Sequence, residues 1–259
     1  MKIISIALFC FLSLNLSAQS NAKIEQELIN LHSKLDYWTT EQRRQPEKAL
    51  GDSLVKANAM FRKKLLQYTS NNPETINYAF TRLKKQGLYI ADSKDGNFRI
   101  YSWDDLSGGT MRFFENVFQC KRKTKTGSTS FAGPDQNPGG FYSEIFTLEN
   151  VGIKYYLAYF NAIGSNREMY QSLQTFKLTE TGLQKNIKII KTKTGLKSEL
   201  GFGFDFFSVV DRPERPVKLI HFDPKAKTIK IPLVNDKGSG QVSDKFITYK
   251  FNGQYFVKI

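Results

Sequence analysis

From residue 88 onward the turn signals recur every 8 to 15 residues, and no ten-residue amphipathic stripe comes between them. Parallel strands need crossovers of about a dozen residues or more, usually helical. A chain without such crossovers must instead pair neighbouring strands antiparallel. The region opens with LYIADSKDGNFRIYSWDDLSGGTMRFFENVFQ, residues 88–119, where Asp95-Gly96 separates two runs rich in Tyr, Ile, Phe and Trp. Asp-Gly supplies the positive φ angles of a tight turn. Eleven or twelve strands are expected. That number would fill only three propeller blades, fewer than the usual minimum of about four. A curved sheet, a sandwich or a barrel fits better.

The later turns can be placed individually. Glu149-Asn150-Val151-Gly152 joins 141–148 to 153–160, and Thr179 to Gly182 joins 170–178 to 183–190. Asp223-Pro224 turns 217–222 into 228–234, with Pro232 marking an edge or a bulge. Asn252-Gly253 predicts a two-residue hairpin pairing Phe251 with Gln254, Tyr249 with Phe256 and Thr248 with Val257. The run Tyr155-Tyr156-Leu157-Ala158-Tyr159-Phe160 puts aromatics on both faces of one strand. Burial on both sides explains that pattern, and so does a platform that stacks on sugar rings or other flat ligands.

Residues 19–87 read as a helical lead. Ile24, Leu28, Leu31, Leu35 and Trp38 draw one stripe. Gln45-Pro46 marks a second start, followed by Leu50, Leu54, Ala57, Phe61, Leu65 and Tyr68. Asn72 caps Pro73 at the head of a third segment carrying Ile76, Phe80 and Leu83, which Gly87 closes. His32, beside the first stripe, reads as a helix-surface histidine. The fold expected is therefore α+β, a three-helix lead packed on a mainly antiparallel β domain at 88–259. A basic helix containing Phe61-Arg62-Lys63-Lys64 also raises attachment to an anionic membrane surface.

The first 18 residues have the form of a cleavable export signal: basic Met1-Lys2, an apolar stretch over 3–16, and Leu16-Ser17-Ala18 before Gln19. The apolar stretch falls short of the roughly 20 residues that span a bilayer. Phe9 before Cys10 argues against lipid attachment. The expectation is an exported protein, periplasmic or secreted, with no transmembrane segment after cleavage. Cys120 is then left without an intramolecular partner.

A formal charge of +14 favours acidic partners. It is spread over both regions, apart from Lys121, Arg122 and Lys123 with Lys125 at the head of a long loop, 121–140. Loops of that length are usually functional or disordered. An anionic envelope component or a polysaccharide is the expected partner, and nucleic acid is not.

The densest polar group is DFFSVVDRPERPVKLIHFD, residues 205–223. Ser208, Asp211 and His221 could form a proton relay if a hairpin brought them together, although Ser208 lacks a Gly-x-Ser-x-Gly elbow. Its bland reading is a loop with local ion pairs. Candidate ligand-binding residues are Trp103, Lys121, Arg122, Lys123, Arg212 and Arg215. No cofactor is expected, because GSTS at 127–130 lacks the lysine of a phosphate loop. No metal is expected either: the histidines are only His32 and His221, and Asp92, Asp95, Asp104 and Asp105 lack EF-hand spacing. The function expected is a non-catalytic binding or structural module. A hydrolase of an envelope or extracellular polymer is the alternative, and a membrane-surface protein is the second.

Overall fold

The computed structural model describes residues 2–122, 125–131, 139–235 and 240–259, with side chains from residue 21 onward. About 25% is helical and about 44% is strand in antiparallel sheets, so the chain is mainly β with a few helices. Among the described residues no helix is long and apolar enough to cross a membrane.

Helix α1 (Lys2–Arg44) and helix α2 (Gly51–Asn71) lie side by side. Pro46 does not start α2 but sits in the turn between them. The Gln42 amide holds that turn, donating to Lys48 O at 3.0 Å and accepting from Leu50 N at 2.8 Å. The third helix of the expected lead is absent as such. A 3-10 turn (Pro73–Ile76) and a four-residue helix α3 (Thr81–Lys84) stand in its place.

Two buried charges explain why the helix breaks. Arg99 donates to Thr75 O at 2.9 Å and Tyr78 O at 2.6 Å, occupying carbonyls that a continuous helix would use. Glu25 of α1 accepts from Arg82 N at 2.8 Å and Leu83 N at 3.1 Å, so it caps α3 from another element. Between them Phe80 takes a left-handed conformation, φ 46°. Asn72 does not cap the 3-10 turn; its amide donates back to Tyr68 O at 3.0 Å and finishes α2. Gly87 reverses the chain at φ 97°, the role its position implies.

The first sheet runs in the order β1 (Tyr89–Asp92), β2 (Phe98–Asp104), β3 (Phe114–Arg122) and β4 (Lys125–Thr129). Part of the presumed loop 121–140 is thus strand: Lys121 and Arg122 end β3, and β4 pairs back on it. One face of this sheet takes the helices. Tyr101, Trp103 and Val117 join Leu28, Leu35, Phe61 and Leu65 in one core, where Phe61 and Trp103 meet edge-on at 4.9 Å. The stripe of α2 through Ala57, Phe61 and Leu65 is consumed in that packing.

The remaining strands are β5 (Phe141–Asn150), β6 (Ile153–Ile163), β7 (Glu168–Leu178), β8 (Leu183–Lys185), β9 (Ile190–Thr192), β10 (Gly195–Lys197) and β11 (Glu199–Asp205). They are followed by β12 (His221–Asp223), β13 (Thr228–Asn235), β14 (Gln241–Phe251) and β15 (Phe256–Lys258). The second sheet is ordered β11-β7-β6-β5, with β8 also on β7; the third is β10-β9-β15-β14-β13-β12. Among the described residues these sheets stay open and none closes into a barrel.

The layers stack as helices, first sheet, second sheet and third sheet. Phe98, Ile100, Phe118 and Cys120 of the first sheet meet Tyr142, Tyr156, Ala158 and Phe176 of the second. Alternate residues of the same second-sheet strands, Leu157, Tyr159 and Leu173, meet Ile190, Ile229, Tyr249 and Phe256 of the third. The aromatic run at 155–160 is therefore spent on burial against two layers. Pro232 sits where β13 shifts register against β14, the bulge its presence implies.

The last hairpin departs from the expected register. Phe251 pairs with Phe256 and Tyr249 with Lys258 across a four-residue loop. Asn252 Oδ1 accepts from Gln254 N at 3.0 Å and Tyr255 N at 2.9 Å, so the side chain builds a wider turn than Asn-Gly alone would make. The wider loop brings two buried phenylalanines together with ring centroids 5.1 Å apart. β15 also pairs parallel with β9, Phe256 opposite Ile190.

If Glu25 holds α3 in place, Glu25→Ala leaves two backbone N–H groups without an acceptor, and the stability lost should be about 2–4 kcal/mol. Glu25→Gln, which keeps an acceptor oxygen, should lose about half of that. Urea denaturation of the two variants beside the parent chain measures both.

Candidate functional site

A cleft of about 660 Å³ lies where the first and second sheets part at one end. Lys121 and Arg122 come from the end of β3, Lys125 from the start of β4 and Lys154 from β6. Asn97, Gly152, Tyr156 and the β7 terminus at Leu178, Thr179 and Glu180 complete the wall. Tight β3–β4 pairing places Arg122 opposite Lys125 and so concentrates charge at that hairpin end. Arg122 Nη1 donates to Glu180 O at 2.8 Å, while its buried Nε has no hydrogen-bond partner. Among the described residues, neither Lys121 nor Lys125 forms an ion pair with a carboxylate.

Lys154 is held differently. Its ammonium meets Asp95 Oδ2 at 3.1 Å, and the Tyr156 hydroxyl donates to the same oxygen at 3.1 Å. Asp95 Oδ1 accepts from Ser93 Oγ at 2.8 Å and Asn97 N at 3.2 Å, and Oδ2 from Asn97 Nδ2 at 3.0 Å. This one carboxylate therefore ties the β1–β2 turn to β6 across the sheet boundary. Burial works to raise its pKa, but the hydrogen bonds from Ser93, Asn97 and Lys154 outweigh it and hold the group down at about 2. The Asp-Gly turn is also wider than two residues. Only Gly96 takes a positive φ, 66°, and Asp95 is freed for its role across the boundary. The same burial pushes the Tyr156 phenol up.

The other candidates are dispersed. Ser208 is exposed on a 3-10 turn (Phe206–Val209), where its hydroxyl donates to Asp205 O at 2.7 Å and accepts from Val242 N at 3.3 Å. His221 lies on the edge strand β12, opposite Lys230 and 5.8 Å from the Phe246 ring. Asp211 is exposed in the turn that follows Val209. Among the described residues no hydrogen bond joins any two of Ser208, Asp211 and His221. Arg212 is half-buried, and Arg215 is pinned to backbone carbonyls beside Phe206.

Trp103 is fully buried and donates to Asn58 Oδ1 at 3.1 Å, so it is a core residue and not a ligand platform. Lys123 lies outside the described residues. Asp92 pairs with Arg99 and Asp104 with Arg112 at 3.1 Å, so the acidic residues considered for calcium are separately engaged. Among the described residues no three His, Cys, Asp or Glu side chains are grouped to hold a metal ion.

One reading needs correction on burial. His32 is only 5% exposed and meets the Phe61 ring edge-on at 5.3 Å, so it is not a surface histidine. Burial holds its pKa below the usual value, against a smaller upward pull from Asp36. Cys120 is buried between the first two sheets, and burial pushes its thiol up, away from reactivity. Sequence reasoning missed Lys154 as part of the cleft and Asp95 as the carboxylate that holds it. A charged residue near the start of a strand and an aspartate in a turn carry no signal of the sheet that will face them.

No protein-family model matches this chain, and no curated protein or solved structure is significantly similar to it.

The Asp95 contacts set a direction with pH. The folded chain holds the Asp95 proton less tightly than the unfolded chain, whose carboxyl titrates near 3.8. Its contribution is thus complete above that value and is lost as pH falls towards about 2. Thermal melts should show the parent chain more stable than Asp95→Asn by a constant margin at neutral pH, and that margin should shrink through the acid range.

Proposed function

We propose that this chain is an exported, non-catalytic binding protein that holds the acidic groups of an envelope polysaccharide or a similar anionic component in the cleft of Lys121, Arg122, Lys125 and Lys154. The observation that carries the reading is a pair of ammonium groups in one wall, Lys121 and Lys125, that form no ion pair with a carboxylate among the described residues, beside the Arg122 guanidinium. Cations lining one concave surface attract acidic groups more strongly than the same charges dispersed, because the low-dielectric walls focus the field. The overall charge of +14 adds long-range attraction. Export follows from the signal-like first 18 residues.

The chemistry is retention by charge and hydrogen bonding. Arg122, with one N–H spent on Glu180 O, adds a guanidinium charge and its remaining Nη donors, and the lysines act as point charges. Tyr156 and Asp95 keep Lys154 in place and take no part in bond making.

Titration calorimetry with polygalacturonate and dextran sulfate, against neutral dextran, tests the reading. Both polyanions should bind and neutral dextran should not, and raising sodium chloride from about 50 to 200 mM should weaken binding through screening. Lys121→Glu with Lys125→Glu should cost about tenfold in Kd or more, equivalent to about 1.4 kcal/mol. Polyanion binding that survives this double reversal would place the interaction elsewhere.

A further inference from the structure

A second concavity, of about 260 Å³, lies apart from the basic cleft, where the edge of the first sheet meets β6, β7 and β11 of the second. Tyr89 and Phe141, stacked with centroids 4.0 Å apart, wall one part of it; Met169, Phe204 and Phe206 also line it. Arg215 and the residues after it complete the lining.

The polar groups in this wall are almost all committed to the protein itself. Gln171 Nε2 donates to Asn161 Oδ1 at 3.0 Å and to Val217 O at 2.6 Å, and its Oε1 accepts from the Tyr159 hydroxyl at 2.7 Å. Asn161 Nδ2 donates to Ser143 Oγ at 3.0 Å, and the Tyr170 hydroxyl to Glu199 at 2.8 Å.

Arg215 differs. Its Nη1 donates to the carbonyls of Arg212 and, at 2.7 Å, Glu214, and its Nη2 donates to Val210 O at 2.6 Å. The guanidinium also lies 5.5 Å from the Phe206 ring centroid. A guanidinium has five N–H donors, and three of these contacts are to neutral carbonyls. The Nε–H and one Nη2–H remain. Of the other cations near this wall, Arg167 is paired with Asp205 at 2.8 Å and Lys218 with Glu144 at 2.7 Å, while Arg212, like Arg215, has no carboxylate partner among the described residues. Among the described residues Arg215 has no carboxylate partner.

We propose that this cavity is a binding site for a small aromatic monocarboxylate, its ring system between the aromatic walls and its carboxylate on Arg215. Three observations select that chemistry. Flat aromatic walls favour a flat aromatic guest through offset and edge-on contacts. A cavity of about 150 Å³ accepts benzene, so this one has room for about two fused rings. The backbone holds the cation in one position before any ligand arrives, so little side-chain freedom is lost when an anion binds. This site is independent of the polysaccharide reading and stands or falls separately from it.

The test uses 2-naphthoate and its neutral isostere 2-naphthamide, titrated into the full chain by calorimetry and saturation-transfer NMR. Naphthoate should bind, and naphthamide should bind about tenfold more weakly or worse. Arg215→Gln should erase the preference for naphthoate over naphthamide, and Ala162→Phe, which fills the cavity, should remove binding of both. If Arg215→Gln does not fold by circular dichroism, the acid-to-amide ratio of the parent chain and the Ala162→Phe result decide the matter. Lys121→Glu with Lys125→Glu should leave naphthoate binding intact. The proposal is overturned by absence of naphthoate binding at millimolar concentration, by equal affinity for acid and amide, by naphthoate binding that survives Ala162→Phe, or by its loss in the double lysine reversal.

Discussion

The second sheet meets protein on both faces, and that constraint governs the rest of the molecule. A sheet with one wet side can alternate apolar and polar residues, but β6 must place both alternating sets against neighbouring layers. Tyr156 and Ala158 go to the first sheet, and Leu157 and Tyr159 to the third. Polar atoms carried along are costly without a partner, about 1–3 kcal/mol each; Thr147 Oγ1 and Ser172 Oγ have none, but the tyrosine hydroxyls do. Tyr159 meets the demand by accepting from Leu219 N at 2.7 Å and Ile220 N at 2.9 Å and by donating to Gln171. Tyr142 does so through Gln174 at 2.7 Å. Tyrosine suits these positions because its ring fills the layer while its hydroxyl bolts the next segment down.

This arrangement decides where ligands can be held. The aromatic strands are absorbed by packing, so the stacked rings of the interior are not a recognition surface. Concave space is left instead where two layers diverge at their ends, and there the charged residues of turns and strand termini collect. The basic cleft and the cavity beside Arg215 are both places of this kind, each lined by residues of more than one sheet or loop. Asp95 joins the structural and electrostatic sides of the first, since the carboxylate that closes the sheet boundary also fixes Lys154.

Much of the architecture was legible where local chemistry is decisive. The turn at 149–152, the helix stripes through Leu28 and Phe61, Gly87 and the bulge at Pro232 all follow from side-chain spacing and backbone preference. The failures share another cause. The third helix was lost to Arg99 and Glu25, which reach its backbone from other elements. The last hairpin widened because Asn252 turned its side chain onto the backbone. His32 and Trp103 look amphipathic in sequence, and only the docking of α2 and the first sheet buries them. Of the candidate site, Lys121 and Arg122 were visible as a charge cluster, whereas Lys154 joins them only through sheet stacking. The residues at 208–221 were close in sequence but are drawn onto separate elements, Ser208 to the backbone of Asp205 and Val242 and His221 to β12.

The insertion of β15 between β9 and β14 has a consequence for assembly. Ile190 gains its parallel neighbour only when Phe256 returns to it, so the third sheet is joined by a long-range pairing. Contacts between such distant positions form late, after the entropy of closing the intervening segment has been overcome. Without β15, β9 and β14 would both expose unpaired backbone next to apolar side chains, a surface on which a second chain could pair in its place. A strand of only three residues, Phe256–Lys258, therefore guards two edges at once in the middle of the third sheet.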